Sequence, residues 1–276
     1  MVFQKLARKL DLWLVGAGDR HCDPQVSTYL ISFPKTGRTW LRLLIGKVLC
    51  EQYGLEESRL LDLRELTQQV GLPGVDVSHD GSDVSHGYEF FKFARDKSIF
   101  ASKKIIFLLR DPRDVMVSCY FQATKRDYST TQYNGTLSEF IRSHRYGVHK
   151  LLDFYTIWWR AQSQCQAFLP VRYEALHAQG VQELGRVMQF LGLDTSPEVL
   201  ARAVAFAEFS NMKKLEQAQV LGDRVLQPTN PHDPESYKVR RGQIGGYRDY
   251  LSLDDIAYLE RALGQWGCPW VQEFYR

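Results

Sequence analysis

The stretch ISFPKTGRTWLRLLIGKVL, residues 31–49, joins two apolar runs through one short polar turn, and the reading of that turn decides the fold. Upstream, residues 26–33 (VSTYLISF) are rich in β-branched and aromatic side chains and stop at Pro34, which predicts a buried strand. Downstream, Trp40, Leu43, Leu44, Val48 and Leu49 recur at helical spacing, which predicts a helix over 39–53. A strand, a tight loop and a helix form the βα unit that aims backbone N–H groups at an anion. The loop is not a standard nucleotide loop. That motif runs G-x-x-x-x-G-K-[ST], with its lysine after the last glycine. Here Lys35 precedes the glycine, Gly37, and Arg38 follows it.

The same pattern recurs along the chain. Strands are expected at 74–79 (GVDVSH), at 103–109 (KKIIFLL) and within 166–176 (QAFLPVRYEAL). Pro112 marks a helix start after the second of these, with Val115, Met116, Cys119 and Tyr120 on its inner face. Further helices are expected near 137–146, 148–164, 181–191, 197–205 and 252–263. Residues 80–102 read as a long ordered loop. Residues 221–250 mix proline, glycine and charge with little periodicity, which marks a functional or mobile span. Alternation of strand and helix predicts a single α/β domain over 1–276, with a central, mainly parallel sheet covered by helices.

Composition narrows the function classes. A chain of 276 residues with 44% hydrophobic and 24% charged residues is an ordinary globular protein. Its net charge of +3 is too small to imply nucleic acid or an acidic membrane, so any anion site must rest on local clusters. Five scattered cysteines without a C-x-x-C pair argue against a disulfide framework or a zinc site, and no metal is expected. In residues 1–24 the apolar run LWLVGAG is too short to span a bilayer, so a cytoplasmic protein is expected. That segment resting on a membrane or a partner is the alternative.

Three basic elements stand just beyond expected strand ends, where α/β sheets bind ligands. The first comprises Lys35, Thr36, Gly37, Arg38 and Thr39; an ordinary polar turn uses the same residue types. The second is Arg110 with Ser118, in RDPRDVMVS. Its plain alternative is a salt-bridged helix start, in which Asp111 and Asp114 meet the helix dipole. The third is KVRRGQIGGY, residues 238–247, with Arg240, Arg241 and Gly242; a solvated basic loop is the bland reading.

Together the three elements resemble the sulfotransferase family that uses 3′-phosphoadenosine 5′-phosphosulfate, PAPS. FPKTGRTW is similar to its 5′-phosphosulfate loop, FLLRDPRDVMVSCY to its 3′-phosphate motif, and RRGQIGGY to its R-K-G-x-x-G loop, with Arg241 in the lysine position. The order and spacing agree over most of the chain. The resemblance implies a P-loop-like fold, PAPS as co-substrate with PAP as product, and a small-molecule, lipid or sugar hydroxyl, or an amine, as acceptor. It implies that Lys35, Thr36, Gly37, Arg38, Thr39 and Trp40 hold the phosphosulfate end, Trp40 also lying against the adenine. Arg110, Ser118, Arg240, Arg241 and Gly242 would hold the 3′-phosphate. RYEAL resembles a segment that places Tyr173 near the adenine, and EFSNMKK one that offers Phe209 and Met212 to the base; core packing is the alternative for all three.

The family's general base is a histidine that closes a strand upstream of the 3′-phosphate motif. His79 stands in that position, with His86 as the alternative. The family's lysine two places earlier is Val77 here, so its role is lost or supplied elsewhere, Arg38 being one source. The family's C-terminal dimer motif survives only in degraded form as RDYLSLDDIA from Arg248, so dimerisation by that route is not expected. Two other function classes stand against this reading. An ATP-dependent phosphoryl transferase predicts a lysine after glycine and a Mg²⁺-binding acid. A non-catalytic nucleotide-binding member of the fold predicts PAP binding without transfer.

Overall fold

The computed structural model describes residues 22–82, 93–126, 133–218 and 230–275. Four parallel strands, β1 (Val26–Ser32), β2 (Gly74–Ser78), β3 (Lys104–Leu109) and β4 (Ala167–Arg172), form one sheet in the order β2-β1-β3-β4. Period-two alternation explains its two cores. Ile31, Phe33, Ile105, Phe107 and Leu109 enter one apolar cluster, whereas Leu30, Ile106, Leu108 and Val171 enter the other. Because both faces are covered, β1 and β3 are buried nearly throughout.

Helix α1 (Arg38–Tyr53) follows β1 and packs Leu41, Leu44, Ile45 and Val48 into the second cluster. Helix α2 (Leu63–Gln69) leads into β2, and α3 (Pro112–Phe121) follows β3. Helix α4 (Leu137–Arg142) stops short of the expected end because Ser143 takes up extended backbone. Helix α5 (Val148–Ala161) places Phe154, Tyr155 and Trp158 against the first face, where the Phe107 ring lies 5.8 Å from Phe154 and 5.2 Å from Trp270.

The third long strand expected within 166–176 is shorter than its apolar pattern. It ends at Arg172, and α6 (Tyr173–Ala178) begins at once. Helices α7 (Gly180–Leu191), α8 (Pro197–Phe206), α9 (Phe209–Ala218), α10 (Leu253–Gln265) and α11 (Pro269–Tyr275) complete the layers. Within 230–250 the backbone forms only short 3₁₀ turns, Pro234–Ser236 and Gly246–Asp249. No helix among the described residues is long and apolar enough to cross a membrane.

One consequence of the topology governs the rest. The chain leaves β1 for β2 on one side and enters β3 on the other, so β1 and β3 flank the point where strand order reverses. Loops from their C-terminal ends diverge there and leave a crevice for a ligand.

Candidate active site

Each strand delivers one residue to that crevice within a step or a few of its C-terminal end. Lys35 follows β1, His79 follows β2, Arg110 follows β3 and Tyr173 follows β4, and all four line one cleft.

The loop after β1 has left-handed backbone at Lys35 (φ 70°) and at Gly37 (φ 103°). Lysine rarely adopts that region, so its neighbours must hold it. Arg110 Nη1 donates to Lys35 O at 3.2 Å, Thr36 Oγ1 donates to Phe33 O at 2.9 Å, and Cys119 Sγ contacts Pro34 O at 3.6 Å. Gly37 is required for a second reason: a Cβ there would stand 2.6 Å from Tyr173 Cδ2. Gly37 is the N-cap of α1 and offers no side-chain acceptor, and the first turn of α1 carries Arg38 but no acid. The uncapped N–H groups and the helix dipole therefore leave positive charge unbalanced at this helix start, which suits an anion.

Arg110 is fixed at the strand exit. The Tyr155 hydroxyl accepts from Arg110 N and donates to Arg110 O, both at 3.0 Å. Its guanidinium lies 4.2 Å from the Tyr173 ring centroid, Nη2 donates to Gln243 O at 3.3 Å, and its buried Nε has no partner among the described residues. The helix-start reading of RDPRD also holds. Asp111 caps α3 and pairs with Arg113 at 2.8 Å. Asp114 accepts from Gly245 N at 2.8 Å and Tyr247 N at 3.0 Å, which ties the 238–247 loop to α3. Helix α3 runs along the cleft, so Ser118 lines it together with Arg110.

On that loop Gly242 has φ 64°, and a Cβ would stand 2.3 Å from Phe209 Cδ2. Arg240 donates to Glu235 at 2.9 Å and to Tyr250 Oη at 2.5 Å, while Arg241 pairs with Asp249 at 2.5 Å. Phe209 and Met212 line the cleft from α9. Trp40 is pinned by its indole N–H to Ala207 O at 2.9 Å, and its ring is 5.4 Å from Tyr173.

His79 directly follows β2, as expected. Its Nδ1 lies 2.8 Å from Ser32 O. A carbonyl can only accept, so Nδ1 carries the proton and Nε2 is left with a free lone pair. Burial, then the charge of Arg38, holds its pKa well below the usual histidine range; the Ser32 bond opposes this, while Lys238 and Arg42 add to it. The next residue is also fixed. Asp80, at φ 47°, forms a buried ion pair with Lys97 and accepts from Trp158 Nε1 at 3.0 Å. With Lys97 1% exposed, Asp80→Asn leaves its ammonium charge unbalanced. We expect the variant to lose about 3–5 kcal/mol of unfolding free energy, measured by urea titration.

Lys35 Nζ donates to Gln122 Oε1 at 3.3 Å. Its pKa is held well below the ordinary lysine value by burial first, then by Lys238 and Arg126. Gln122 opens a π-helical turn, Gln122–Arg126, at the end of α3.

All the expected site residues among the described ones line this cleft except Thr36, whose buried hydroxyl points back to Phe33. His86 lies outside the described residues. Among the further lining residues, three bear on the site's chemistry. His177 lies 4.7 Å from the rings of both Trp40 and Tyr173, and burial lowers its pKa. Gln243 carries the carbonyl that Arg110 grips. Lys238 stands in the very stretch KVRRG that drew attention to its arginines. No group of three or more His, Cys, Asp or Glu side chains among the described residues is arranged to hold a metal ion.

Comparison with known proteins meets this geometry from another side. Residues 26–267 match the model of a family described as the sulfotransferase domain. Cytosolic sulfotransferase 17 of Arabidopsis thaliana is 24% identical over 250 residues, covering 84% of this chain and 71% of that one. A 3-alpha-hydroxysteroid sulfotransferase of Cavia porcellus is also 24% identical, over 260 residues that cover 86% of this chain and 84% of the relative. In fold, the chain is similar to a mouse sulfotransferase crystallised with PAP, with a TM-score of 0.61 and 17% identity over 93% of this chain and 90% of that one.

Proposed function

The chain belongs to the sulfotransferase family, a PAPS-dependent enzyme class, and from that premise we propose how its residues divide the work of sulfuryl transfer. The observation that carries the assignment is the convergence of Lys35, His79 and Arg110 on one cleft, with His79 held in the tautomer of a base.

The donor presents anionic groups at two separated places, and the cleft suits both. The uncapped start of α1, with Lys35, Gly37, Arg38 and Thr39, would receive the 5′-phosphosulfate, and the backbone of Thr36 would shape the turn. Arg110, Ser118, Arg241 and Gly242 would receive the 3′-phosphate. The partnerless Arg110 Nε supports that reading, and Arg240, committed to Glu235 and Tyr250, would shape the wall. Trp40, Tyr173, Phe209 and Met212 supply aromatic and apolar surface for the adenine.

In the reaction, the acceptor oxygen forms a bond to sulfur as the bond from sulfur to the 5′-phosphate oxygen breaks. The electron pair leaves on that phosphate oxygen, and the acceptor proton passes to His79 Nε2. The products are a sulfate ester and PAP. Lys35 offsets the charge that grows on the leaving oxygen. The acceptor we propose is a small-molecule hydroxyl; the relative named for 3-alpha-hydroxysteroids supports that class. The lysine-before-glycine order of the first loop weighs against the ATP-dependent alternative.

Titration with PAP and with ATP tests the donor. Saturable binding of PAP without comparable binding of ATP is expected; the reverse would overturn the assignment. Arg110→Ala is expected to weaken PAP binding on the order of tenfold to a hundredfold, as loss of charge-assisted contacts does, read by calorimetry. An unchanged PAP affinity would remove Arg110 from the 3′-phosphate. Transfer of labelled sulfate from PAPS to a panel of phenols, sterols, lipids and sugars identifies the acceptor.

A further inference from the structure

Three arginines that line this cleft are paired with the protein's own carboxylates, whereas its two lysines, Lys35 and Lys238, make no ion pair among the described residues. Arg110 has Asp114 at 4.0 Å, Arg240 has Glu235 at 2.9 Å and Arg241 has Asp249 at 2.5 Å. Lys238 lines the same cleft, and its Nζ makes no ion pair among the described residues. Glu216, the acid whose charge acts on Lys238, spends its hydrogen bonds elsewhere. Glu216 is fully buried, and its two oxygens accept from Lys238 N at 2.6 Å and Val239 N at 2.8 Å, with Arg126 on the same carboxylate. That clamp fixes the backbone of residue 238 and leaves the ammonium group to face the cleft.

Lys238 lines the one cleft that Lys35 and His79 also line. Lys238 acts on Lys35 and on His79 alike, and Arg38 acts on Lys238. Lys35 and His79 mark the two ends of an in-line displacement, leaving oxygen at one end and acceptor oxygen at the other. A cation on the same cleft wall, whose charge is felt at both, is suited to the group in transit between them. Burial first, then the charges of Arg126, Arg38 and Arg42, partly opposed by Glu216, bring the Lys238 pKa down to about 8, so a bound anion would favour its charged form.

We propose that Lys238 is a second catalytic cation, whose ammonium group contacts the oxygens of the sulfuryl group during transfer, opposite Lys35. This rests on the sulfotransferase reading above. Lys238 makes and breaks no bond. The new oxygen–sulfur bond, the broken sulfur–oxygen bond and the proton on His79 Nε2 balance as already written, and Lys238 offsets negative charge on the moving SO₃ oxygens.

The test compares PAPS with PAP, which lacks only the sulfuryl group, on the full chain and on Lys238→Met and Lys238→Arg. In Lys238→Met the preference for PAPS over PAP should fall about tenfold, with PAP affinity itself unchanged, the latter also showing that the variant folds. Turnover with an acceptor from the panel should fall on the order of 10²-fold, and Lys238→Arg should recover most of both losses. Equal loss of PAPS and PAP affinity would overturn the proposal by placing Lys238 on a phosphate common to both. A change confined to acceptor KM would overturn it in favour of a cation that reads an acidic acceptor, and no change at all would also overturn it. Failure of the wild-type chain to bind either nucleotide removes the donor assignment and this proposal together. Normal wild-type binding with an unaltered preference in the variant sinks only Lys238.

Discussion

His79→Ala is expected to lower turnover by about 10²–10⁴-fold while leaving PAP affinity nearly intact, because the variant loses a base and no donor contact. The reasoning starts at Nδ1. Its 2.8 Å approach to Ser32 O settles the tautomer and leaves Nε2 to accept the acceptor's proton. Burial and the charges of Arg38, Lys238 and Arg42 disfavour the imidazolium, so the ring is neutral at pH 7 and ready as a base. The sign follows directly. A lowered pKa means the base is lost only when the pH falls through that lowered value, so the acid limb of kcat/KM should lie below about 6.5, the ordinary histidine value. His79→Gln keeps a side-chain donor for Ser32 O without a base, and it should be as inactive as alanine. Full activity in either variant would eliminate His79 as the base; an acid limb at or above the ordinary value would contradict its environment.

Lys35→Met is the second large effect, with an expected loss of about 10²–10³-fold in turnover. Methionine preserves most of the stem and removes the charge, so the left-handed turn at residue 35 is disturbed little more than lysine already strains it. Loss of catalysis should therefore exceed loss of PAP affinity. The ammonium group is worth most when negative charge has built up on the leaving oxygen, and PAP binding samples only the product state. Single-turnover rates against PAP titration separate the two. An equal fall in both would make Lys35 a binding residue only. Alkaline pH should imitate the substitution in part: Lys35 is held below its usual range, so its charge is lost as the pH rises, earlier than in an exposed lysine. An anionic donor opposes that loss, which should shift the alkaline limb upward when PAPS saturates the enzyme.

The parts of the site legible in the sequence were those written in short local patterns. VSTYLISF followed by PKTGRTW encodes a strand, a turn and a helix within 28 residues of chain, 26–53, and each step is a local preference of the backbone. Arg110 was found because β3 ends there and Pro112 opens the next helix. His79 was found because it follows β2. Boundaries were less legible. RYEAL reads as the tail of a strand because it continues the run QAFLPV, yet α6 begins at Tyr173 once the sheet partner of β4 ends at Leu109.

Lys238 was hidden for a different reason. In KVRRGQIGGY the arginines are the louder signal, but the protein supplies each with its own carboxylate, and the quieter lysine keeps its charge for the cleft. What selects it is Glu216, 22 residues earlier, with Arg126 a further 90 away, and no local pattern announces such a partnership. The π-helical turn that brings Gln122 to Lys35 is equally silent, since its residues read as a continuing helix.

By itself the sequence determined the parallel α/β plan and the three basic loops whose side chains line the cleft, because strand period, helix period and the demands of Pro and Gly act over a few residues. Only the tertiary structure decided which charges remain unpaired and which tautomer His79 adopts. Those depend on atoms brought together across the sheet: Ser32 O beneath a ring 47 residues away, and Glu216 turned toward a backbone rather than toward an ammonium group. On the reading proposed above, the turn FPKTGRTW supplies an anion site, and the partners that fold around it make that site a place for transfer.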